Sequence, residues 1–95
     1  MPGPKVPTTI DVHIGKRLKR LRRDRELSQT ALGRAANVSF QQIQKYERGC
    51  NRISVGRLWD FCKLLDVSPT YFFEGLGGYT DHDERSADLI PMSAG

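Results

Sequence analysis

Large apolar residues recur at intervals of four and three at Ile14, Leu18 and Leu21, and lysines and arginines fill the positions between them. That interval lays one apolar stripe along an α-helix and predicts a first helix over about 11–25. Beyond it a short device repeats four times: an apolar residue, a serine, three further residues, and a second apolar residue. It occurs as Leu27-Ser28 with Leu32, Val38-Ser39 with Ile43, Ile53-Ser54 with Leu58, and Val67-Ser68 with Phe72. A serine so placed can accept a hydrogen bond from a free amide of the following first turn, while the apolar pair closes over it as a hydrophobic staple. Four serine caps predict four further helices.

Helix two is expected over about 29–36, with Ala31, Leu32, Ala35 and Ala36 inward and Asn37, which tolerates the left-handed conformation, as its stop. Helix three follows after a very short turn. Ser39 caps it, Gln42 stands where a capping-box partner would reach back, and Gly49 ends it. Helix four, about 55–65, carries Leu58, Phe61, Cys62 and Leu65 inward with Trp59 at its edge, and breaks at Asp66. Helix five opens on Pro69, where the missing amide costs nothing, and carries Tyr71, Phe72 and Phe73 to Gly75. No stretch reads as a strand, so the fold class is all-α.

The helical pattern occupies residues 10–75. Before it, residues 1–9 hold three prolines and a glycine without apolar period and read as a flexible arm, from which Lys5 could reach a phosphate. After it, residues 76–95 contain two adjacent glycines and scattered acids. They read as a flexible tail, or as one that docks on a partner subunit through Leu89–Met92.

A chain of 95 residues supports one small core and leaves no room for a separate sensor or catalytic domain. The net charge of +4 is unevenly spread: +5 over residues 1–27, +2 over 28–75 and −3 over 76–95. A basic domain with an acidic tail suits a polyanionic partner. No apolar run is long enough to cross a bilayer and no secretory leader is visible, so the expected location is cytoplasmic and no membrane partner is expected. The apolar stripe of helix one is too narrow for that basic helix to lie on lipid.

Cys50 and Cys62 stand alone, without metal spacing: Cys62 falls in an apolar helical pattern and Cys50 in a loop. His13 and His82 are isolated, no serine or cysteine has a base at a recognisable spacing, and there is no glycine-rich phosphate loop. No enzyme activity, cofactor or metal is expected.

On helix three, Ile43 and Tyr46 share one side with Val38 beneath its start, and Gln41, Gln44, Lys45 and Arg48 share the other. Two readings fit that outer face. It can be plain solvated surface, the commoner case, or it can read DNA, because side-chain amides donate and accept at base edges and cations neutralise phosphate. Two short helices joined by a tight turn, the second presenting such a face, describe a helix-turn-helix. In that motif the second helix enters the major groove.

The runs Ile14-Gly15-x-x-Leu18-x-x-Leu21-Arg22, Leu27-Ser28-Gln29-x-x-Leu32-x-x-Ala35 and Val38-Ser39-x-x-x-Ile43-x-x-Tyr46-Glu47-Arg48-Gly49 together resemble the phage repressor/Cro-type (XRE-like) helix-turn-helix family. Leu58-x-x-Phe61-Cys62-x-x-Leu65-x-Val67-Ser68-x-x-x-Phe72-Phe73 continues the likeness, which covers roughly residues 11–75. The resemblance implies a five-helix, lambda-repressor-type domain in a transcriptional regulator, a repressor, that binds double-stranded DNA. It implies that Phe40, Gln41, Gln44 and Lys45 face base edges, and that Gln29, Ser39, Arg48, Asn51 and Arg52 meet the DNA backbone. Gln29 would also buttress helix three, and Arg22 and Glu47 would form a partly buried salt bridge between helices one and three. Two positions depart from the family pattern: Asn37 stands where glycine is usual, and Phe40 stands where a polar reader is common. Phe40 can meet a thymine methyl group or pack against the protein.

One short helix makes few base contacts, which points to a homodimer on a palindromic operator. Its expected interface is helix five and the adjoining tail, through Tyr71, Phe73, Leu76 and Tyr79; Phe72 and Phe73 can equally close the monomer core. The alternative is a DNA-binding antitoxin or other protein-interaction module on the same scaffold, with an unidentified protein partner. RNA binding is disfavoured, because no aromatic residues interleave the basic face for base stacking.

Overall fold

A computed structural model of the chain describes residues 8–76. It contains, in order, α1 Thr9–Asp24, α2 Gln29–Ala36, α3 Phe40–Arg48, α4 Val55–Leu65 and the single turn α5 Thr70–Phe73. There is no strand among the described residues. The 1–7 part of the arm, with Lys5, lies outside them, as do His82 and the tail beyond Leu76, with Tyr79 and Leu89–Met92.

Ser28, Ser39 and Ser54 each accept a hydrogen bond from the backbone amide three residues on, at 2.9–3.1 Å. The fourth serine behaves differently. Pro69 occupies the cap position of α5 in a helical conformation, and Ser68 Oγ instead accepts from the Thr70 amide at 3.3 Å. The Tyr71 amide, three residues on, donates to the Ser68 backbone carbonyl at 3.0 Å and leaves the hydroxyl no cap bond to make there. At Ser39 only the serine's half of a capping box is made. The full box is at Thr8 and Asp11, each bonding the other's backbone amide. It starts α1 at Thr9, two residues earlier than the apolar interval suggests. The pattern Thr-x-x-Asp is the signal that could have found it.

The stops of α2, α3 and α4 are left-handed residues. Asn37 has φ 62°, Gly49 78° and Asp66 55°, and Glu26, just after α1, has φ 60°. The Asn37 stop lets α3 follow α2 after three residues, Asn37 included.

Leu18, Leu32, Ile43, Phe61, Leu65 and Phe72 are fully buried, with Ile14, Leu21, Ala36 and Cys62 around them. Burying each large side chain is worth roughly 1.5–3 kcal/mol, and α3 takes its place by packing on both α1 and α2. Burial also pushes the Cys62 thiol pKa up, as suits an inert core cysteine. The inward face of α2 differs from expectation: Ala35 is exposed and Gly33 is buried. A Cβ on Gly33 would lie 2.6 Å from the Val38 carbonyl oxygen, so the turn into α3 crosses α2 backbone to backbone. Leu58 is only partly buried and Trp59 faces outward.

Several cations of the basic first helix are used internally. Arg17 stacks 3.8 Å over the Tyr71 ring, donates to the Tyr71 carbonyl and pairs with Glu74, while the Tyr71 hydroxyl donates back to the Arg17 carbonyl. Arg25 donates to the carbonyls of Leu65 and Asp66 at the end of α4, and Arg57 to that of Ala36 at the end of α2. Such bonds satisfy carbonyls that a helix end leaves free. The cations left exposed on α1 are Lys16, Lys19, Arg20 and Arg23.

Candidate nucleic-acid interface

Most residues of α3 take one of two sides. Ile43 is fully buried, Tyr46 meets Phe61 edge to face at 6.0 Å, and Glu47 is 6% exposed. Phe40, Gln41, Lys45 and Arg48 are exposed, and Gln44 is half-buried. Phe40, at 42% exposure, projects from the first turn rather than filling the core.

The inner side is anchored by charge. Arg22 Nε donates to Glu47 Oε2 at 2.6 Å and its Nη2 to Oε1 at 3.0 Å, a two-pronged pair with both side chains under 10% exposed. Arg22 Nη1 donates to the Leu27 carbonyl at 2.8 Å. Gln29 Nε2 donates to Glu47 Oε1 at 3.0 Å, so the first residue of α2 also bears on α3. One carboxylate therefore ties α1, the loop after it, α2 and α3 together. The planar guanidinium fork suits that role, because all three of its nitrogens find acceptors.

Gly15 lets the backbones of α1 and α3 meet. A Cβ there would stand 2.3 Å from the Tyr46 carbonyl oxygen and 2.8 Å from that of Glu47. The spacing of apolar residues carries no trace of this approach, since glycine has no side chain to count.

After α3 the loop runs past exposed Cys50 and half-buried Asn51 to Arg52. The Arg52 side chain is 71% exposed, yet its Nε and Nη2 donate to Asp11 at 2.9 and 3.3 Å. Asp11 was missed as a site residue, because it lies far from the loop in sequence. The hydrogen bond from Arg52 is the main cause that holds the Asp11 carboxyl below its ordinary pKa; partial burial opposes the shift and Thr8 adds to it. A lowered folded pKa means that this contribution to stability is fully present above the ordinary carboxylate pKa of about 4. It is lost as pH falls through the lowered folded value. Protection of the first-turn amides of α1, taken relative to the intrinsic exchange rate at each pH, is expected to fall in that window below about pH 4, and the Asp11→Asn chain to lack that step.

The Helix-turn-helix family profile matches residues 18–72, more than half of the chain. The chain belongs to the helix-turn-helix family. Relatives of this helix-turn-helix chain carry regulator names. It is 47% identical over 81 residues to an uncharacterised HTH-type transcriptional regulator of Sinorhizobium fredii, covering 85% of the chain and 57% of that protein. It is 52% identical over 86 residues to an uncharacterised transcriptional regulator in the ATPase CF(0) region of Rhodospirillum rubrum, covering 90% and 77%. Several of the curated relatives it matches are about twice as long as the matched part. Among solved structures, the restriction-modification controller protein C.AhdI of Aeromonas hydrophila superposes with a TM-score of 0.62 at 29% identity, over 65% of this chain and 94% of that one.

The five-helix, repressor-like fold expected from the sequence is thus the fold observed, and the family is not an enzyme class. No helix among the described residues is long and apolar enough to cross a membrane.

Of the residues expected to form an interface around helix five, Tyr71 is tied down by Arg17 and is not free. Phe73 is 48% exposed and Leu76 half-buried. Phe73 lies in a largely apolar groove with Ile10, Ile14, Ile53, Val55 and Leu58, which Asp11 and Arg52 also line and of which Ile10 and Val55 are themselves exposed. That patch joins the start of α1 to α5.

Proposed function

We propose that the chain is a sequence-specific double-stranded DNA-binding transcriptional regulator, a cytoplasmic repressor that lays α3 in the major groove. The division of α3 carries this reading: its inner side is locked by Ile43 and the buried Glu47–Arg22 pair, while Gln41, Gln44 and Lys45 stand on a rigidly held outer side. A merely solvated face has no need of such fixation. The regulator names of the relatives and the controller protein among the structural neighbours agree with it.

In this reading Phe40, Gln41, Gln44 and Lys45 meet base edges, with Phe40 toward a thymine methyl group. Gln29 and Ser39 at the two helix starts, Arg48 at the end of α3, and Asn51 and Arg52 in the loop meet phosphates. Two copies act on a palindromic operator with half-sites roughly 34 Å apart. The apolar face of Ile10, Val55 and Phe73 supports a homodimer there.

Selection of duplexes from a random pool tests the reading and yields the operator. On the selected duplex Gln41→Ala or Lys45→Ala is expected to cost about 1–3 kcal/mol while sparing nonspecific binding. Equal losses on every duplex would overturn base reading by these residues.

A further inference from the structure

Arg52 is the exposed half of an ion pair whose acidic half is nearly enclosed: the Asp11 side chain is 10% exposed against 71% for Arg52. Asp11 is also fixed on its own helix, because its Oδ2 accepts from the Thr8 amide and its amide donates to Thr8 Oγ1. The base of the loop rests on the same turn of α1: a Cβ on Gly49 would lie 2.8 Å from Val12 Cα. The acid is the anchor and the cation is what it presents. We propose that Asp11 is a positioning residue for DNA binding, gripping the Arg52 guanidinium by one edge so that its far end meets a backbone phosphate. This rests on the reading of α3 and its loop as the DNA interface.

The chemistry of the fork supports it. A guanidinium has five N–H donors in one plane. Asp11 takes the Nε and Nη2 edge, and the planar geometry leaves the Nη1 end turned away from the carboxylate, with donors to spare for a phosphate oxygen. A free arginine on a flexible loop loses rotamer freedom when it binds, whereas one already held loses less. The opposing effect is plain repulsion, since a carboxylate beside DNA disfavours a phosphate. The two effects differ in sign, which makes the proposal decidable.

Duplex binding by the full chain is measured by fluorescence anisotropy over a salt series, on a duplex that the chain has itself selected from a random pool. Asp11→Asn is expected to weaken binding on the order of three- to tenfold and to reduce the salt slope by about one. In the Arg52→Gln background the same substitution is expected to add nothing. Thr8→Ala removes the hydroxyl that caps α1 but leaves the Arg52 donors and the residue-8 backbone amide on the Asp11 carboxylate, and is expected to leave the salt slope unchanged. Tighter or unaltered binding by Asp11→Asn overturns the proposal. So does an equal loss in the Arg52→Gln background, or a slope change reproduced by Thr8→Ala. A wild-type chain that selects no duplex overturns the DNA reading and the proposal with it; one that selects a duplex but ignores Asp11→Asn overturns the proposal alone.

Discussion

Glu47→Ala is expected to remove about 3–5 kcal/mol of folding stability, a large share of the 5–15 kcal/mol typical of a domain. The loss exceeds that of an ordinary surface pair, which contributes about 0–1 kcal/mol, because the substitution strands Arg22. Its guanidinium is buried, with Leu27 as the remaining carbonyl partner, and Gln29 Nε2 loses its acceptor at the same stroke. The melting temperature of so small a domain should fall by about 15 °C or more. Replacing both partners together by apolar residues of similar volume, Arg22→Met with Glu47→Leu, should recover most of the loss, because no charge is then left in the core. Thermal unfolding of the three chains checks this. A Glu47→Ala chain as stable as the wild type would mean that water reaches Arg22, and that the pair does not hold α3.

Gly15→Ala carries the second large effect. In an exposed helix the exchange would be favourable by about 1 kcal/mol. Here the new methyl would stand 2.3 Å from a carbonyl oxygen of α3, well inside van der Waals contact. That oxygen belongs to a helix backbone and cannot swing aside as a side-chain end can, so α1 and α3 must part. We expect a net loss of about 1–3 kcal/mol, as for overpacked cores, and weaker DNA binding, because the outer face of α3 moves with its backbone. Gly56→Ala is the matching control: nothing lies within 4 Å of a Cβ there. It should be neutral or stabilising by up to about 1 kcal/mol. Denaturant unfolding of both chains should show opposite signs, and a shared sign would remove the close approach as the cause.

These two residues differ in how far they could be foreseen. Glu47 and Arg22 were legible through a family resemblance carried by side chains. Gly15 belongs to the same motif, yet its reason appears only where two backbones touch. The outward side of α3 was similarly legible, since a period of 3.6 residues divides Gln41, Gln44, Lys45 and Arg48 from Ile43 and Tyr46 before any coordinates are known. Ala35 and Gly33 show the limit of that period. On a two-turn helix the buried face is chosen by what crosses it, and here the crossing element is the backbone at Val38, which favours the smallest residue.

By itself the sequence determined what is local: the helical periods, three working serine caps, the left-handed stops at Asn37 and Gly49, and the two-sidedness of α3. Each of these depends on contacts within about four residues, so the order of side chains suffices to specify it. Tertiary structure decided what joins distant parts: the seating of α1 on α3 at Gly15, the use of Arg17 and Arg25 as internal ties, and the pairing of Asp11 with Arg52 across 41 positions. An arginine reads alike in sequence whether it faces solvent or a carbonyl. Only the packing that brings an acceptor within 3 Å settles which it does.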